Sequence, residues 1–256
     1  MKKYYYALLT TLMAVMPTMT FISCSGDDDN DDSGEADKNI SYQKCPDNHH
    51  PHMIDLGLPS GTKWACCNVG ADKPEAYGGY YAWGETEEKT IYNEVTYQFC
   101  TGDDTDGNGL YDKNSSYQDL GSDIASTQYD VAHVKWGGSW VMPSRSQIEE
   151  LLGNCTSTWI TKDGVHGRQF SGRNGGTIFL PATGYRWDDH LLDSDYTGNY
   201  WSSTQIQSEM DHACYLSFME GGMGWGNGKR RGGLAVRPVI RVSVETSHRG
   251  VSAEFF

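Results

Sequence analysis

Asp104-Thr105-Asp106-Gly107-Asn108-Gly109-Leu110-Tyr111-Asp112 sets oxygen-bearing side chains at alternate positions around a glycine. This is the spacing with which an Asp-x-Asp-x-Asn-Gly calcium loop begins, hard donors converging on Ca²⁺ while glycine permits the sharp turn. Asp104, Asp106, Asn108 and Asp112 are the candidate metal ligands, and Asp103 adds charge beside them. Ser115 stands where an EF-hand places its bidentate glutamate, so Asp112 would have to substitute for it. The same residues also spell a plain acidic turn that needs no ion. Both readings stay open: Ca²⁺ is the one candidate cofactor, and none is required.

Other residue types offer less. His49, His50 and His52 have no cysteine or carboxylate at a fixed spacing, which favours a solvated lead-in over a transition-metal site. Besides Cys24, the cysteines are Cys45, Cys66, Cys67, Cys100, Cys155 and Cys214, an even set that permits disulfides in an exported chain. There is no Cys-x-x-Cys pair, and adjacent Cys66 and Cys67 on an extended strand point to opposite faces, which argues against zinc and thioredoxin-like chemistry. Buried thiols are the plain reading for some of them. A Gly-x-Ser-x-Gly elbow is also lacking, and no catalytic residue is assigned.

The elements that must position these groups are short. Strands are predicted at 53–56 and 62–67 around a Leu-Pro-Ser-Gly turn, then at 79–83, with a helical turn at 73–77. Residues 85–128 read as one elaborate loop, of the kind that carries function or needs a structural device. The clearest helix starts at the N-cap Ser144 with Gln147 as its capping-box partner. It carries Ile148, Leu151 and Leu152 on one side, and Gly153 is placed to end it. Lys162-Asp163-Gly164 between 157–161 and 165–170 marks a hairpin. Further strands are predicted at 177–180, 198–203, 213–218 and 234–239.

The beginning of the chain addresses it elsewhere. Lys2 and Lys3 precede an apolar stretch that is short for a bilayer span, and Phe21-Ile22-Ser23-Cys24 resembles a lipobox. Residues 1–23 are thus predicted to be a signal peptide and Cys24 the lipidated first residue of the mature chain. Residues 24–44, rich in aspartate, form an acidic tether. That acidic run resembles a signal that sends lipoproteins to the outer face of the outer membrane, a plain spacer being the alternative. Removing two lysines and no acids turns the formal charge of −14 into −16. Such a chain offers no footing for nucleic acid, and its membrane contact would run through the lipid.

From residue 53 to 239 a series of segments resembles one family: Met53-Ile54-Asp55-Leu56-Gly57-Leu58-Pro59-Ser60-Gly61-Thr62-Lys63-Trp64-Ala65, Cys67-Asn68-Val69-Gly70-Ala71, Tyr81-Ala82-Trp83-Gly84-Glu85 and Trp136-Gly137-Gly138-Ser139-Trp140-Val141-Met142-Pro143. Phe179-Leu180-Pro181-Ala182-Thr183-Gly184-Tyr185-Arg186, Tyr200-Trp201-Ser202-Ser203-Thr204 and Val236-Arg237-Pro238-Val239 complete it. The pattern is similar to the Fibrobacter succinogenes major paralogous domain, here 45–240, with 241–256 a tail beyond it. The resemblance implies a C-type lectin-like fold, shared with formylglycine-generating enzymes and with targets of diversity-generating retroelements. The composition independently points to an α+β domain of short twisted antiparallel strands, one or two helices and long ordered loops. Trp64, Trp83, Trp136 and Trp140 are expected in its core.

In lectin-like relatives the surface corresponding to 205–233 holds ligands. The implied binding residues here are Glu209, Asp211, His212, Tyr215, Glu220, Trp225, Asn227, Lys229 and Arg230, for an extracellular glycan or protein. Cys214 alone cannot form the thiol pair that the enzymatic relatives use, so a non-enzymatic binding module is expected. An exported modifying enzyme and a structural adhesin component are the alternatives.

Overall fold

The computed structural model describes residues 48–240. The expected signal peptide at 1–23, Cys24, the expected tether to 44, Cys45 and residues 241–256 lie outside the described residues. Within them the chain forms mostly antiparallel strands and two short helices, an α+β arrangement: β1 (Met53–Asp55), β2 (Lys63–Ala65), β3 (Cys100–Asp103), β4 (Lys113–Tyr117), α1 (Val131–Trp136), β5 (Trp140–Val141), α2 (Arg145–Asn154), β6 (Thr156–Lys162), β7 (Val165–Ser171), β8 (Thr177–Pro181), β9 (Tyr185–Trp187), β10 (His190–Leu192), β11 (Gly198–Gln205), β12 (His212–Met219), β13 (Gly222–Lys229) and β14 (Val239–Ile240).

Both ends of the described region meet in a sheet ordered β1-β2-β14-β5. Its strands are so short that each gives one residue to a single buried cross-strand row, Ile54, Trp64, Val239 and Val141. A second sheet, β6-β7-β8, grows from the expected hairpin, with Asp163 and Gly164 both at positive φ, as a two-residue turn matched to strand twist requires. The third, β11-β12-β13, is purely antiparallel. Tyr200, Leu216 and Phe218 on one of its faces join Phe170 and Ile178 of the second sheet in a common core. Phe218 stacks on Tyr200 at 5.8 Å and meets Trp159 and Phe170 edge-on. Gly198 is required beneath that ring, because a Cβ there would lie 2.0 Å from it.

The capping box at Ser144 forms as expected. Gly153 does not end the helix: α2 runs on through Asn154, and the Cys155 amide closes it on the Leu151 carbonyl. Residues 73–77 make only a turn. Tyr81 and Leu234 pair through a single bridge where longer strands were expected. The missed helix α1 is nucleated by Asp130, whose buried carboxylate accepts amides of Ser126, Ala132, His133 and Met142. Burial raises its pKa and those donors oppose the rise.

Residues 85–128 are held by polar anchors inside a second core. The Tyr92 and Tyr97 hydroxyls donate to the carbonyls of Tyr80 and Trp83 at 2.6 and 2.7 Å. Glu94 accepts from the Tyr111 amide, the Tyr117 hydroxyl and Arg231. Trp64 and Trp83 are buried as expected, whereas Trp136 and Trp140 are half-buried and pack edge to face at 5.3 Å.

Candidate functional site: an aromatic cleft on a glycine-faced sheet

The third sheet explains where the expected binding residues go. Strand β13 reads Gly222-Met223-Gly224-Trp225-Gly226-Asn227-Gly228-Lys229, so its side chains all emerge on one face and only hydrogens on the other. Trp225 and Asn227 therefore lie opposite Leu216 and Cys214, while Tyr215 stands over Gly226 on the reverse face. Nine residues expected as one surface are thus divided. Glu220 is exposed at the β12–β13 turn. Glu209, Asp211 and His212 cluster at the opposite end, the His212 Nδ1 lying 2.8 and 2.7 Å from Glu209 and Asp211, and Lys229 pairs with Asp211. Arg230 leaves the set altogether. It is fully buried, bonds to the Tyr97 hydroxyl and the carbonyls of Gln118 and Met210, and lies 4.8 Å from the Trp83 ring centre.

The glycine face opens into a cleft of about 260 Å³ lined by Tyr185, Trp187, Trp201 and Tyr215, with Asn199 and Lys229 as polar neighbours. Its space exists because Gly228 has no side chain: a Cβ there would sit 3.1 Å from the Trp201 ring and 3.2 Å from that of Tyr215. Trp201 forms the buried back wall, fixed by its indole N–H on the Tyr81 carbonyl and by an edge-to-face contact with Tyr215 at 6.0 Å. Trp187 is braced by the Arg231 guanidinium, 4.5 Å from its ring centre. Among the described residues, nothing accepts from the Tyr185 and Tyr215 hydroxyls or the Trp187 indole N–H, and these groups are only partly buried. Burial, then the adjacent Tyr185, push the Tyr215 hydroxyl above its ordinary pKa, keeping it a neutral donor. Apolar ring faces edged by unengaged donors are the equipment of a recognition site. Tyr185 and Trp187, 11 or more positions before β11 closes the cleft's back wall at Trp201, were not legible as site residues.

Trp225 faces the other way, its ring covered by Arg145 of α2 at 3.5 Å. A broader cleft of about 730 Å³ adjoins Arg145. Its polar groups are largely engaged: the Arg145 amide donates to Thr204, the Gln147 amide to Ser144, and the Arg145 side chain pairs with Glu149.

Asp211 supplies a pH dependence. Burial opposes its charge, but Lys229 and His212 together hold its pKa below the ordinary 3.8. Because the folded value is the lower one, this contribution to stability is complete above pH 3.8 and vanishes as pH falls through the folded pKa. In urea denaturation, the stability gap between wild type and Asp211→Asn is expected to be largest near neutrality and to shrink in acid below that point.

The calcium-type loop lies at the β3–β4 tip, its acceptors turned inward. Asp104 accepts from the amides of Gly107, Asn108 and Gly109, Asp106 from Asn108, Asn108 from the Leu110 amide, and Asp112 from Thr105. Among the described residues, three His, Cys, Asp or Glu ligand atoms lie within 4.8 Å of one another at two places, and this loop is neither. Millimolar Ca²⁺ decides between the two readings: a rise in melting temperature would mean that the loop closes on the ion, and no change that it is a plain acidic turn. One of the two places is Glu209, Asp211 and His212. The other is His50, Cys66 and Cys67, which corrects the sequence reading: the strand stops at Ala65, the chain bends, and the thiols no longer take opposite faces.

No family model matches this chain, and neither a curated protein nor a solved structure matches it.

Proposed function

We propose that this chain is a non-enzymatic recognition module, held at the outer membrane through an acylated Cys24, whose cleft binds an extracellular glycan. The C-type lectin-like fold implied by the resemblance to the Fibrobacter succinogenes major paralogous domain is part of this reading. The observation that carries it is the cleft itself: four aromatic rings, space left by a glycine, and three donors with no protein partner among the described residues. Sugars present C–H faces to rings and hydroxyls to such donors. A protein ligand is favoured by a separate feature, the exposed Met219, Met223 and Trp225 on the edge hairpin β12–β13. Thiol chemistry gains no support, since Cys214 is buried and burial raises its pKa, against the opposing effect of Arg145.

A glycan array and a pull-down of surface proteins, run with purified full-length protein and with Gly228→Leu, test the proposal. Leucine at 228 fills the cleft, so a glycan bound by wild type is expected to be lost while the fold persists by circular dichroism. Binding retained by Gly228→Leu would refute the cleft.

A further inference from the structure

The polar lead-in and the first sheet are brought together by the fold at one point. The His50 Nδ1 lies 3.0 Å from the Cys66 sulfur, the His52 amide donates to that sulfur at 3.0 Å, and the His52 Nδ1 is 3.6 Å from it. The Cys66 amide in turn donates to the His52 carbonyl, which fixes the lead-in against the end of β2. One ligand atom from each of His50, Cys66 and Cys67 falls within 4.8 Å of the others. Both thiols are buried, and the histidines are partly exposed.

We propose that His50, Cys66 and Cys67 bind a thiophilic divalent cation, Zn²⁺ by its chemistry, with His52 placed to supply a fourth ligand. Zinc–sulfur and zinc–nitrogen bonds of about 2.3 and about 2.0 Å set neighbouring S and N atoms of a tetrahedral centre roughly 3.5 Å apart. The observed separations from Cys66 bracket that value, and the Cys67 ligand atom lies within 4.8 Å of those of His50 and Cys66, so metal entry would draw the side chains inward. Binding transfers the two thiol protons to solvent and leaves Zn²⁺ with two thiolates and neutral imidazoles, a unit of no net charge that suits a buried position. The His52 N–H donates to the Cys66 sulfur and the Arg237 guanidinium to the Cys66 carbonyl at 3.0 Å, contacts that fix this cysteine in place. The site would pin the lead-in to the sheet that carries both ends of the described region.

The test is titration of reduced, metal-stripped full-length protein with Co²⁺, with Zn²⁺ as competitor, alongside His50→Ala and Cys67→Ser. Wild type is expected to bind one Co²⁺ with sulfur-to-metal charge-transfer absorption, to release it to Zn²⁺, and to melt at a higher temperature with Zn²⁺. His50→Ala, at a partly exposed position, should fold normally and bind at least about tenfold more weakly. Cys67→Ser should lose about half of the charge-transfer intensity, one of two thiolates being gone. Folded wild type without that absorption, an identical titration for His50→Ala, or recovery of Cys66 or Cys67 in a disulfide from unreduced protein would overturn the site.

Discussion

Replacing Arg237 by methionine should destabilise the protein by about 3 to 5 kcal/mol, because each buried acceptor left without its donor costs about 1 to 3 kcal/mol. Arg237 is fully buried, and it donates to the Asn68 side chain and to the carbonyls of Ala65, Cys66 and Phe179. Two of those carbonyls lie at the end of β2, and the third is on β8, so one guanidinium ties the first sheet to the second. Methionine keeps much of the volume but no donor, and four acceptors would be left in a dry interior. At roughly 2 to 4 °C per kcal/mol for a domain of this size, the melting temperature should fall by about 6 to 20 °C. Thermal denaturation checks this; a loss comparable to that of a surface substitution would show that the network contributes little.

The second large effect joins stability to binding. Glu94 and Arg231 form a buried pair at 2.6 Å, and Arg231 braces Trp187 of the cleft. Glu94→Ala strands the buried guanidinium and removes the acceptor for the Tyr111 amide and Tyr117 hydroxyl, a loss of about 3 to 5 kcal/mol. It should also weaken any cleft ligand at temperatures where the variant is still folded, because Trp187 loses its support. Stability and affinity falling together is the expected signature. A stable variant with unchanged affinity would separate the loop from the cleft.

Features set by neighbouring residues were the ones legible beforehand. Ser144 with Gln147, and Asp163-Gly164, act through backbone geometry within a few positions, and both formed as read. Strand β13 was missed because glycine has low strand propensity and leaves no hydrophobic alternation to detect. Its period-two spacing from Gly222 to Lys229 was the available signal, and it would have placed Trp225 and Tyr215 on opposite faces. Arg237 sat within an apolar run read as a strand, and sequence alone does not disclose which carbonyls a guanidinium will reach. Arg230 misled for the same reason: arginine is ordinarily exposed, and here carbonyls and aromatic rings from distant segments enclose it. The histidine and cysteine cluster is separated by 16 positions between His50 and Cys66, beyond any local pattern.

Isothermal titration of one array-selected glycan into wild type, Trp187→Ala and Trp225→Ala tests recognition by the cleft most directly. The expected result is affinity about tenfold or more weaker for Trp187→Ala and little changed for Trp225→Ala, whose ring lies on the opposite face under Arg145. The reverse order, with Trp225 essential and Trp187 dispensable, would contradict it.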